Sequence, residues 1–228
     1  TPKERQTMLF SATMPDEIVR LSHRYLKDSV KVRTQAQISK HLLKHYYYDV
    51  LSEEKLSLLL NLIGFEKPSL ALVFTSTRRA ADVVNRYLQS KGIESRALHG
   101  GHSQSARSDI LAGFHRGRPH ILIATDVAAR GLDVKNISHV FNYDSPKNAE
   151  DYTHRTGRTA RFGKTGKAIT FLSKQDHPAF QQIVRYIDIE KLHHNFKLDA
   201  VRFGGRDDRS HSHQRGRSFG RRPSWHGR

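Results

Sequence analysis

Leu70-Ala71-Leu72-Val73-Phe74, then Thr75-Ser76-Thr77, then residues 78–91 closed by Gly92, decide how this chain folds. Five apolar residues in a row bounded by polar ones read as a strand buried on both faces. Residues 78–91 carry an amphipathic pattern and read as a helix that stops at Gly92. The same unit recurs on either side. Strands read at 45–51, 95–98, 120–124, 139–143 and 167–172. Helices read at 52–63, 103–115, 148–154 and 175–186, with Ser52 as an N-cap and Glu53 and Glu54 behind it. Short apolar strands alternating with amphipathic helices predict an α/β fold, a parallel sheet with helices on both faces. In such sheets ligands gather at the carboxyl ends of the strands.

The flanks read differently. Residues 6–10 read as a strand, Pro15 opens a helix with Asp16 and Glu17 in its first turn, and 29–33 read as a further strand. Residues 34–40 are mostly polar with neither period, a linker. Residues 204–228 hold seven Arg against two Asp, five Gly, and Phe219 and Trp225 spaced among the arginines. Such a segment buries too little apolar surface to offset ordering entropy, so a disordered basic tail is expected. The boundaries are therefore 1–37, 38–203 and 204–228. The tail reads either as a solubilising extension or as sequence-tolerant RNA attachment through phosphate contacts and stacking.

With 39 Lys and Arg against 22 Asp and Glu, the chain carries +17, and nucleic acid is the natural partner for that balance. The absence of cysteine excludes a disulfide framework and a thiolate zinc site. The 15 histidines have no carboxylate or cysteine at ligand spacing, so no metal site is expected. The longest apolar run, near 56–65, is far too short to span a bilayer. Nothing resembles a signal peptide, and a soluble cytoplasmic protein is the expectation. The chain begins at Thr1 without an initiator Met, which points to a piece of something longer.

His154-Arg155-Thr156-Gly157-Arg158-Thr159-Ala160-Arg161 places three arginines at i, i+3 and i+6. On a helix they would spread over about a third of its circumference, a face that suits phosphate. Taken alone it equally reads as a solvated basic face. Four further stretches precede it: Ser11-Ala12-Thr13; Phe74-Thr75-Ser76-Thr77; His99-Gly100-Gly101 with Gln104 and Arg107; and Ala124-Thr125-Asp126-Val127-Ala128-Ala129-Arg130-Gly131-Leu132-Asp133. In that order and spacing they closely resemble the C-terminal half of DEAD-box RNA helicases of superfamily 2, with the look of the RhlE-like branch. The resemblance covers residues 1 to about 172.

It implies a RecA-like helicase C-terminal domain with specific roles. Arg158 and Arg161 resemble arginine fingers for the ATP β- and γ-phosphates, suited to a reaction that needs charge stabilisation more than covalent help. His154 would link them to the catalytic carboxylates and, through Ser11 and Thr13, to the other lobe. Asp133 resembles the ribose anchor, and Gly131 the position where backbone approaches nucleotide. Thr77, Gln104, Arg107, Thr125, Arg130 and Arg155 correspond to RNA-binding positions, which hold phosphates without reading bases. Thr77 and Thr125 also read as strand-to-helix caps, Asp126 as a loop cap and Arg107 as a surface arginine. Ala160 stands where the family usually has Gly, and Gly101 where it more often has Asp.

Two elements are missing. A phosphate-binding loop needs Gly-x-x-x-x-Gly-Lys-Ser/Thr between strand and helix. Gly163-Lys164-Thr165 has Arg158 where the first Gly belongs and precedes a strand instead of following one. No Asp-Glu-Ala-Asp tetrad occurs. The chain would thus be one half of an active site that binds ATP with Mg2+, most ligands coming from an N-terminal lobe, and whose closure opens short RNA duplexes. The alternative is a non-catalytic RNA-binding or annealing module without its own ATPase.

Overall fold

In the computed structural model, residues 2, 4–11, 14, 16–32, 42–129, 132, 134, 136–160 and 163–201 are described. The element order is α1 (Asp16–Tyr25), β1 (Leu43–Asp49), α2 (Lys55–Glu66), β2 (Ala71–Thr75), α3 (Arg78–Ser90), β3 (Ser95–Leu98), α4 (Gln104–His115), β4 (Ile121–Thr125), α5 (Asp126–Ala129), β5 (His139–Asn142), α6 (Ala149–Thr156), β6 (Gly166–Leu172), α7 (His177–Val184) and β7 (Glu190–Lys191). Seven strands form one sheet in the order β3-β4-β2-β5-β6-β1-β7, and every pairing is parallel. The expected α/β fold is therefore present, and β2, β4 and β5, in the interior, are buried at every position.

Alternation along each strand divides the core. Ala71, Val73, Ile121, Ile123, Phe141, Ile169 and Phe171 face α2 and α3, whose Leu58, Leu59, Leu62, Val84 and Leu88 complete that layer. Leu72, Phe74, Leu122, Ala124 and Val140 face the other way, onto Phe114 of α4 and Ala128 and Ala129 of α5. Tyr152 of α6 packs with Phe180 and Ile183 of α7 and with Leu172 on that same side. Full burial of each Leu or Phe contributes about 1.5–3 kcal/mol, so the two layers dominate stability.

Several sequence expectations need correction. Residues 6–10 and 29–32 form no strand; Phe10 and Val30 are 86% and 88% exposed. A strand requires a neighbour for its backbone donors and acceptors, and none pairs with them among the described residues. Ser52 does not cap α2: a 3-10 turn, Ser52–Glu54, opens the segment, with Glu54 N–H donating to the Leu51 carbonyl. The helix expected at 175–186 likewise begins as a 3-10 turn, Lys174–Asp176, tied by the Ser173 amide and hydroxyl donating to Asp176. α5 and β7 were not legible, being four and two residues long. Nor was the strap at 192–201. Leu192, Phe196, Leu198 and Val201 pack on the core, and amide bonds tie it to Tyr47, Ser57 and Glu53. The linker at 34–40 and the tail at 204–228 lie outside the described residues.

Candidate RNA and nucleotide interface

The carboxyl ends of β3, β4 and β2, three neighbours in the sheet, form one ridge. Thr77 follows β2 in an extended conformation and caps α3, its hydroxyl accepting from the Ala80 amide at 3.0 Å. The cap reading and the exposed strand-end position thus hold together. Ser103 caps α4 in the same way, which makes Gln104 the first residue of that helix and leaves it exposed. Two helices of 13 and 12 residues therefore aim their N-termini at this edge, where the macrodipole favours anions. Arg107 lies one turn further along α4, half-buried, its Nε buried without a hydrogen-bond partner. Thr125 ends β4 beside Thr75 of β2, but it is buried.

The His99-Gly100-Gly101 corner holds one of the departures from the family pattern. The Gly101 amide donates to His99 Nδ1 at 3.1 Å, so the imidazole proton sits on Nε2, 3.0 Å from Asp82. A Cβ on Gly101 would lie 3.0 Å from the His99 ring, so a larger residue there requires that ring to give by a few tenths of an ångström. The His102 ring lies 4.2 Å from that of His99, tilted by 33°. Burial above all pushes the His102 imidazole below its ordinary range, with the neighbouring His99 and Arg107 acting in the same direction against the pull of Asp82.

The arginine stretch is not one continuous helical face. α6 ends at Thr156, and the Gly157 amide donates back to the Thr153 carbonyl at 2.8 Å. A Cβ on Gly157 would come within 2.9 Å of that carbonyl, so glycine suits the turn that ends the helix.

Arg155 needs the largest correction. Expected at RNA, it is buried, and its guanidinium is bound from several sides. Nε and Nη2 clasp Asp126 at 2.6 and 2.8 Å, and Nη1 donates to the Asp144 carbonyl at 2.6 Å. Its planar fork matches the carboxylate of the first residue of α5.

Arg158 sits in the turn beyond α6, half-buried, and its Nη1 donates to the Leu132 carbonyl at 2.7 Å. From there the chain runs back toward the strand starts. The Thr159 hydroxyl donates to the Ile137 carbonyl, and Ala160 packs with Leu43 and Ala168 at the beginnings of β1 and β6. The finger segment thus departs from the carboxyl-end ridge, where ligands of such sheets gather. His154, in the last turn of α6, is half-exposed and 4.0 Å from Glu150. Ser11 lies exposed in the stretch before α1. Thr13, Arg130, Gly131, Asp133 and Arg161 lie outside the described residues, so of the nucleotide set Arg158 alone is placed. Among the described residues no group of three or more His, Asp or Glu is arranged to hold a metal ion.

Comparison with known proteins agrees with this architecture. The helicase conserved C-terminal domain family matches residues 54–163. The DEAD-box ATP-dependent RNA helicase CshA of Geobacillus kaustophilus is 41% identical over 185 residues, 81% of this chain and 40% of that protein. CshA of Listeria monocytogenes is 42% identical over 176 residues, 77% and 34%. The chain thus spans well under half the length of these relatives. They do not carry the narrower RhlE-like placement. Among solved structures, the E. coli DEAD-box protein SrmB, bound to regulator of ribonuclease activity A, is 33% identical with a TM-score of 0.65. That match covers 72% of this chain and 98% of SrmB's. S. cerevisiae Dbp5 bound to RNA and ADP BeF3 is 32% identical with a TM-score of 0.74, covering 84% and 52%. This chain belongs to the DEAD-box family of superfamily 2 helicases, as its C-terminal RecA-like lobe.

Proposed function

We propose that the chain works as one lobe of a cytoplasmic ATP-dependent RNA helicase that opens short duplexes by ATP-driven closure onto an N-terminal lobe. The observation that carries this reading is a separation of surfaces. Thr77, Gln104 and Arg107 occupy the strand-end ridge, whereas Arg158 sits on a turn that leaves it. RNA phosphates settle on the ridge, where helix N-termini and hydroxyl, amide and guanidinium groups hold backbone without selecting bases. Arg158 sets its guanidinium against the negative charge of the transferring phosphoryl group of ATP held by the other lobe. Mg2+, held by that lobe, supplies further charge neutralisation. Support comes from relatives named as ATP-dependent RNA helicases and from a related structure bound to RNA and ADP BeF3.

The test is reconstitution. The lobe alone is expected to hydrolyse ATP negligibly and to gain RNA-stimulated hydrolysis once an N-terminal lobe is supplied in the same protein. Arg158→Ala in the two-lobed protein should cut turnover by about 10³-fold or more, the scale of an arginine finger, with little loss of RNA binding. Unchanged turnover would overturn the finger role, and helicase-like turnover by the lobe alone would overturn the half-site reading.

A further inference from the structure

Among the described residues Arg155 is the most thoroughly coordinated charged side chain at the ridge, and its guanidinium is taken up by protein partners. Its side chain is 4% exposed. Besides the fork to Asp126 and the bond to the Asp144 carbonyl, Nη1 lies 3.5 Å from Asn142 Oδ1, and the guanidinium sits over the Phe74 ring, 5.2 Å from its centroid. Asp144 in turn accepts from the Ser76 amide at 2.7 Å, and Asn142 donates to Thr170 of β6 at 3.0 Å. One cation thereby joins the ends of β2, β4 and β5, with β6 reached through Asn142. A phosphate could reach it only by displacing Asp126.

The same residue stands next to the finger turn. The Arg158 amide donates to the Arg155 carbonyl at 3.2 Å, and Arg158 reaches Leu132, three residues beyond the end of α5. Asp126 begins α5 directly after Thr125, the ridge end of β4, and it is 37% exposed. A load on the ridge therefore meets Asp126 first, Arg155 next and Arg158 last, through contacts whose forked geometry tolerates little rotation.

We propose that Arg155 is a positioning residue whose clasp on Asp126 transmits RNA occupancy of the strand-end ridge to the turn carrying Arg158. This rests on the helicase reading but makes a separate claim, since a phosphate-contacting Arg155 and a coupling Arg155 behave differently.

Arg155→Lys keeps the charge and loses the fork; Asp126→Asn is a second variant that leaves the arginine intact. In the two-lobed protein each should lower RNA-stimulated turnover on the order of tenfold, and the double variant should be no worse than either single one, as for members of one network. RNA affinity, followed across salt concentration, should keep its wild-type slope. On this chain alone, NMR of the Arg158 side chain during titration with a short single-stranded RNA should show a shift that both variants abolish. A salt slope reduced by about one in Arg155→Gln, which removes the charge, would make Arg155 a phosphate contact and overturn the proposal. So would multiplicative loss in the double variant, or an Arg158 signal that still responds to RNA in either variant. If the wild-type shift appears and the variants abolish it but the two-lobed protein hydrolyses no ATP, coupling stands and the helicase reading alone fails. If RNA does not bind the wild-type chain, both fall.

Discussion

α1 and α2 are of similar length, yet α2 buries seven of its twelve residues and α1 buries none. α1 is strongly two-faced, with Ile18, Leu21 and Tyr25 along one stripe and carboxylates in its first turn. α2 is apolar nearly all round and lies on the sheet beneath the strap. Two-sidedness alone does not bury a helix; a layer must be present to receive its stripe. The same holds for extended segments. Residues 71–75 are paired on both sides and wholly buried, whereas 29–32, no less apolar at Val30 and Val32, remain exposed.

The largest expected effect tests this contrast. Leu62→Ala in α2 removes a fully buried side chain and should cost about 2–5 kcal/mol in urea unfolding. Leu21→Ala in α1, where the side chain is 42% exposed, should stay within about 0.5 kcal/mol. A loss at Leu21 approaching that at Leu62 would mean that α1 is packed in solution, and the contrast would collapse.

How far each region could be read in advance follows from the same physics. β2 and β4 match their expected bounds to within one residue, because a continuous apolar run closed by Thr has few alternatives; β3, Ser-Arg-Ala-Leu, matches its bounds without such a run. Thr77 was legible as a cap and a ridge residue because both follow from its place between strand and helix. The family resemblance implies an RNA contact at Arg155, and its partner Asp126, 29 residues away, gives no nearby sign of the ion pair. A local signal was available: Arg155 falls three residues after buried Tyr152, on the inward face of α6. The strap at 192–201 has no period because its contacts are anchors to Tyr47, Ser57 and Glu53, which no pattern within it could announce.

A second, smaller effect sharpens the comparison from inside the domain. Lys55, at the start of α2, is buried and 3.3 Å from Asp176, which also accepts from the Ser173 amide and hydroxyl. Burial by itself pushes the Asp176 carboxyl up, but the Ser173 hydrogen bonds and the Lys55 ammonium outweigh it and hold the group below its ordinary range. A depressed carboxyl contributes stability that is complete above its unfolded value and lost as pH falls through the folded one. Stability should therefore be level near neutrality and decline through the acidic carboxylate range. Asp176→Asn should flatten part of that decline in urea titrations at successive pH values. An unchanged acid slope in the variant would show that the pair to α2 is broken in solution.

The smallest effect concerns Ala160, where this chain departs from the family's glycine. Its φ is +55°, the left-handed region in which an L side chain is strained by about 1–2 kcal/mol and glycine is not. Yet Ala160 is buried against Leu43 and Ala168, and removing its methyl forfeits about 0.8 kcal/mol of burial. Glycine also gives the unfolded chain more freedom, a loss of about 0.5–1 kcal/mol. These terms nearly cancel, so Ala160→Gly should leave stability within about 1 kcal/mol of the natural chain by urea midpoint. Ala160→Val adds a β-branch at positive φ and should be distinctly worse. A gain well beyond 1 kcal/mol in the glycine variant would mean that the finger turn stores more strain than its backbone angle accounts for. An equally large loss would mean that one methyl between β1 and β6 holds the turn in place, which would set it with α2 as a packed element and apart from α1.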